Sequence, residues 1–209
     1  MAQALAAKGY TGARETVATR IDRRLMDRLI SWTGALMAVA MIALGAAAIY
    51  GGSFALSNVR DRLAPQNITF PPAEAMSDYD KSEGLTAFAG QKVDTGTEAE
   101  AFSRYIGGHL TDVNEGATYS ETSSESRGYA ADVGEDPTAA ESGKMAELSG
   151  KVDTLFKGET LRGMLLNAYG WWTVGQITQW AGYAMVALGL LLSVFAALGF
   201  RHARKIQHP

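Results

Sequence analysis

Apolar and polar positions fall in long blocks along the chain rather than in the short alternations of a soluble fold. No charged residue lies among the 31 positions between Arg28 and Arg60, nor among the 38 between Arg162 and Arg201. A helix crosses the hydrocarbon core of a bilayer with about 20 apolar residues. The first block contains WTGALMAVAMIALGAAAIYGGSFAL, from Trp32 to Leu56. At about 1.5 Å per residue it exceeds that core and needs tilt or a protruding end. The second block closes on WAGYAMVALGLLLSVFAALGF, from Trp180 to Phe200. Backbone amides in lipid are satisfied only internally, so both blocks are predicted to be transmembrane helices. The fold class that follows is mainly α: two transmembrane helices flanking a small extracytoplasmic domain, mostly helical, with α+β as its alternative.

Averaged over 209 residues, the composition hides this layout. It has no cysteine, 19 Lys+Arg against 22 Asp+Glu, and 47% hydrophobic residues, as an ordinary soluble domain would. The charge distribution restores it. Residues 1–30 carry Lys8, Arg14, Arg20, Arg23, Arg24 and Arg28 against Glu15, Asp22 and Asp27. The tail after Phe200 adds Arg201, Arg204 and Lys205 with no acid, whereas the central region has a net charge of −9. Short basic flanks stay in the cytoplasm, so both termini are expected inside a plasma membrane and the centre outside it. Ala46–Ala48 offer a cleavage site, but the apolar run continues past them, and an uncleaved anchor is expected.

The expected segments are a basic cytoplasmic start (1–30), a first span (31–57), an acidic extracytoplasmic domain (58–168), an interfacial belt with the second span (169–200), and a basic tail (201–209). Within the start, Ile21, Leu25 and Leu29 share one helical face. Arg20, Arg23, Arg24 and Arg28 interleave with them as candidate lipid-headgroup contacts, worth about 1 kcal/mol each near an anionic surface. After the first span, Pro65, Pro71 and Pro72 favour extended backbone. GLTAFAGQKVDTG alternates enough for a short strand pair or an irregular turn. A helix is predicted from Thr97, with Phe102, Ile106, Leu110 and Val113 as its apolar stripe, weakened at Gly107 and Gly108. Residues 114–143 hold few large hydrophobes and are expected to be flexible or loosely packed. Helical spacing returns at Met145, Leu148, Val152, Leu155 and Phe156 and can run on into the second span, with Gly158 and Gly163 as candidate break points.

Tyr169, Trp171 and Trp172 precede the second apolar core and are expected as interfacial anchors at the headgroup level. Gln176 and Gln179 follow, suited either to that interface or to hydrogen bonds with a partner helix. Small residues at every fourth position, Ala43, Ala47 and Gly51 in one span and Gly189, Ser193 and Ala197 in the other, mark candidate helix-packing rows. Neither span contains an ionisable residue, which argues against an ion path or proton relay within them.

Catalytic chemistry finds little support. Asp94-Thr95-Gly96 matches the aspartic-protease tripeptide, but that chemistry needs two carboxylates sharing a proton. Asp78, Asp80, Ser82 and Glu83 suggest a calcium loop until the sixth and twelfth positions are read: Glu83 and Ala89 stand where glycine and glutamate are required. His109, Asp112 and Glu115 could line one edge of a metal site, but His109 is the only histidine of the central region. There is no nucleophile elbow, Walker loop or dinucleotide fingerprint. An acidic domain repels nucleic acid. Asn67-Ile68-Thr69 is a glycosylation sequon, meaningful only in a host that uses one. No cofactor or metal is expected.

The run AGQKVDTGTEAEAFSRYIGGHL, the following GATYSE, and TLRGMLLNAYGWW ahead of the second span resemble a broad group of actinobacterial-type two-span membrane proteins with an acidic extracytoplasmic domain. Members of such groups are sometimes described as aromatic ring-opening dioxygenases. Iron chemistry of that kind needs several His or carboxylate ligands around one pocket, so the resemblance implies no activity. The expected function is a non-enzymatic accessory or scaffolding subunit packing against a larger respiratory or transport complex, in contact with membrane lipids, with homo-oligomers open. The alternative is an extracytoplasmic sensing or ligand-binding module signalling through a separate partner, and an enzyme ranks third.

Overall fold

The computed structural model describes residues 2–205, with side chains described for 25–202 and 204. These residues are mainly helical and include no strand. In chain order the α-helices are α1 (Ala2–Leu63), α2 (Asp78–Ser82), α3 (Gly96–Thr111), α4 (Tyr119–Val133) and α5 (Ala139–Lys205). Three short 3-10 turns, Ala64–Gln66, Ala73–Ala75 and Leu85–Phe88, lie between α1 and α3. Both α1 and α5 contain a stretch long and apolar enough to cross a membrane.

Local chemistry sets these boundaries. α1 gives way to a turn with Pro65 near its start, closed by Asn67 in the left-handed region at φ 52°. Each later helix opens on a hydroxyl residue followed three positions on by a carboxylate. Ser77 with Asp80, Thr95 with Glu98, Thr118 with Glu121 and Thr138 with Glu141 satisfy the amides that a helix start leaves open. Gly116 at φ 85° and Gly134 at φ 76° carry the turns on either side of α4.

The stretch 114–143, expected to be flexible or loosely packed, holds α4 and the first turn of α5. Its caps supply the order, together with the Asn114 amide, which donates to Thr122 Oγ1 at 3.0 Å and accepts from Lys151 Nζ at 3.1 Å. The composition still shows in the packing, because Thr122 and Ser123 are the buried residues of α4. Of the strand pair or irregular turn expected over 84–96, the turn forms, at Leu85–Phe88, and pairing is limited to one bridge between Thr69 and Lys92. Phe70 N–H donates to Gln91 O, and Val93 N–H to Ile68 O, each at 2.9 Å. The prolines on one side and the turn Leu85–Phe88 on the other leave no room for more.

The chain forms two compact units, one of α1 to Gly51 with α5 from Ile177, the other Gly52–Gln176. In the first, α1 and α5 run antiparallel. In the second, a core of Phe70, Leu85, Val93, Ala99, Leu165 and Trp172 is fully or nearly closed to solvent. Phe70 sits at its centre, stacked on Phe88 at 5.5 Å between ring centroids and edge-on to Phe102 at 5.0 Å.

Candidate functional site

The site begins with how α1 and α5 meet. Ser31, Ala38 and Gly45, each seven residues apart, are buried on α1; Gly182, Gly189 and Ala196 are buried on α5. A Cβ added to Gly45 would lie 2.8 Å from the Gly182 carbonyl oxygen, and one on Gly182 would lie 2.7 Å from the Gly45 carbonyl oxygen. On Gly189 it would stand 3.0 Å from the Ala38 carbonyl oxygen, and on Gly199 2.5 Å from Ser31 Oγ. These pairs descend on one helix as they ascend on the other, and the backbones touch where side chains are absent. Within the other unit the same two helices approach at Gly175, where a Cβ would come 3.2 Å from the Gly52 carbonyl oxygen.

This seam follows a row different from the one expected. Ala43, Ala47 and Gly51 are exposed, and a Cβ on Gly51 would meet nothing within 4 Å. On α5, Gly189 lies on the seam and Ser193 is half-buried, its hydroxyl donating to Gly189 O at 2.9 Å, while Ala197 is exposed. The offset between the two rows has a geometric cause. Four residues overshoot one helical turn by about 40°, whereas seven fall only about 20° short of two, so a long contact tracks the seventh residue. Small residues at every seventh position, from Ser31 to Gly52 and from Gly175 to Ala196, are the signal that finds the seam.

The aromatic anchors also divide. Tyr169 and Trp171 are exposed, but Trp172 is 8% exposed and belongs to the core. Its Cβ and indole lie against Gly96, the first residue of α3, so closely that a Cβ there would overlap them. The Arg60 guanidinium sits 5.9 Å from the Trp172 ring centroid, within cation–π range. Of the candidate headgroup arginines, Arg28 is exposed; the side chains of Arg20, Arg23 and Arg24 lie outside the described residues.

The motifs considered for catalysis take up structural positions. Thr95 and Gly96 of the protease-like tripeptide cap and open α3, with the Glu98 carboxylate accepting from Thr95 N–H at 2.7 Å. Asp80 of the calcium-like run is fully buried; one of its oxygens accepts from Ser77 N–H and Oγ–H at 2.9 and 2.8 Å. Burial, assisted by the Asp80 charge, pushes the neighbouring Tyr105 phenol above its ordinary pKa. His109 is exposed and edge-on to Tyr105, ring centroids 4.4 Å apart. Among the described residues, no three His, Cys, Asp or Glu side chains gather to hold a metal ion. Gly107 and Gly108 leave α3 unbroken because they are contact points, the first against the Arg162 guanidinium and the second beneath the Tyr79 ring. Gly158 receives Leu110 in the same way, and α5 passes both it and Gly163 without a break.

No protein-family model, curated protein sequence or solved structure matches this chain.

Proposed function

We propose that the protein is a non-enzymatic integral membrane subunit, an accessory or scaffold that packs beside a larger complex of the respiratory or transport type. On this reading the basic ends lie in the cytoplasm and the acidic region between the spans lies outside the plasma membrane. The observation that carries it is the exposed row Ala43, Ala47 and Gly51. The hairpin's own seam uses a different face of α1, which leaves this one open to close approach by a foreign helix. The charge-free spans give no purchase for ion or proton transfer, consistent with support rather than turnover.

The test is purification of the tagged full chain from its native membrane in a gentle detergent, followed by sizing and mass spectrometry. Stoichiometric recovery with a large integral complex is the expected result. Recovery without any other polypeptide would sink the reading and turn attention to ligands of the central domain.

A further inference from the structure

We propose that the end of the α1–α5 hairpin at Arg28 and Arg204 is a binding site for one anionic phospholipid, its phosphate held between the two guanidinium groups. The inference rests on the two-span reading, which supplies the bilayer, and not on the accessory role.

The two helices stay in contact up to this end. A Cβ on Gly34 would stand 3.8 Å from the Ala196 Cβ, and one on Gly199 2.5 Å from Ser31 Oγ. Beside that seam the Trp32 and Phe200 rings meet edge-on, centroids 5.6 Å apart, so both lie on one side of the hairpin. Residues four apart on a helix are neighbours on one face. Arg28 therefore lies a turn beyond Trp32, and Arg204 a turn beyond Phe200, on that same side. Both are exposed. Arg201 follows Phe200 directly and is turned about 100° away from it.

Depth is the first reason to assign a lipid phosphate. Trp32 and Tyr50 on α1 are 61% and 76% exposed, and Trp180 on α5 is 71% exposed. At the helical rise, Trp32 to Tyr50 covers about 27 Å and Phe200 to Trp180 about 30 Å, which matches the hydrocarbon core. Trp and Tyr favour the two boundaries of that core. With Trp32 and Phe200 at one boundary, arginines a turn further on stand about 6 Å outside it, within the headgroup layer.

Charge is the second. Arg62, Arg104, Arg127 and Arg162 each donate to a nearby side chain, and Arg60 faces the Trp172 ring. Among the described residues Arg28 and Arg204 have no such partner, nor has Arg201. Asp27, the acid described beside them, is half-buried and forms no ion pair with any of the three. A guanidinium grips phosphate oxygens through paired N–H donors. A headgroup with an ammonium of its own sets a positive charge against the arginines; a glycerol headgroup does not.

The probe is phosphatidylglycerol against phosphatidylcholine, mixed equally with the purified full chain in mild detergent. Native mass spectrometry counts the lipids that each chain retains. Preferential retention of one phosphatidylglycerol is expected. Arg28→Gln and Arg204→Gln should each lose that preference, whereas Arg201→Gln, which removes the same charge from another face, should keep it. The proposal is overturned by a wild-type chain without preference, or by a preference that survives in either Arg28→Gln or Arg204→Gln. Equal loss in all three variants would mean attraction to net charge alone, and would overturn it too. A chain released from membranes by carbonate washing would instead remove the two-span reading. Co-purifying polypeptides are scored separately, so failure of the accessory reading is distinguishable from failure of this one.

Discussion

At the level of single residues, glycine carries much of the packing, and its contacts are not equivalent. Gly96 and Gly108 both lie in α3 against an aromatic side chain, yet the atoms they would strike differ. A Cβ on Gly96 meets Trp172 at Cβ and Cγ, close to the α5 backbone and in the core. One on Gly108 meets the ring of Tyr79, which is 44% exposed and free to swing outward. Gly96→Ala is therefore expected to destabilise by about 1–3 kcal/mol, the usual range for overpacking, and Gly108→Ala by clearly less. Thermal unfolding followed by tryptophan fluorescence ranks the two, and equal losses would contradict the assignment. The sequence placed Trp172 with Trp171 because residue type alone suggests an interfacial belt. Only the spacing from Leu165, one heptad earlier and also buried, separates the two neighbours.

At the level of elements, the helix starts were written in the sequence. Ser77-x-x-Asp80, Thr95-x-x-Glu98, Thr118-x-x-Glu121 and Thr138-x-x-Glu141 are capping boxes, and they mark where α2 to α5 begin. Two of them lie within 114–143, whose low hydrophobicity alone does not point to a helix. Hydrophobic burial is a poor guide for a helix such as α4, held by caps and polar contacts. Such a helix responds to pH. Hydrogen bonds from the Thr118 backbone amide, then from its hydroxyl, hold the Glu121 carboxyl below its ordinary value of 4.5. A depressed folded-state pKa contributes stability above the unfolded value, lost as pH falls through the folded one. The first turn of α4 is therefore expected to fray on acidification below about pH 4.5, with amide exchange at Glu121–Ser123 rising first. Thr118→Ala should raise exchange at neutral pH and flatten its pH dependence. A pH response unchanged by Thr118→Ala would show that another group controls this helix.

For the molecule as a whole, the sequence revealed its layout through charge-free lengths, but not which helix face meets which neighbour. That choice depends on the difference between a repeat of four and a repeat of seven, and short stretches of Ala and Gly satisfy both. The two rows on α1 now make separable predictions. Gly45 touches the Gly182 backbone within the hairpin, whereas Gly51 has open space around it. Gly45→Leu places a branched side chain where carbonyl oxygens already stand, so the helices must separate. Loss of the α1–α5 pairing is expected, read as disappearance of a disulfide between Gly34→Cys and Ala196→Cys in the same chain, where a Cβ on Gly34 would stand 3.8 Å from the Ala196 Cβ. Gly51→Leu leaves that disulfide intact. If the exposed row receives a foreign helix, Gly51→Leu removes the co-purifying complex, because small residues are what permit backbones to approach in lipid. Retention of the complex in Gly51→Leu would move the docking surface elsewhere while leaving the hairpin seam as described. Loss of both pairing and complex in Gly51→Leu would mean that this row belongs to the internal seam, contrary to the heptad register.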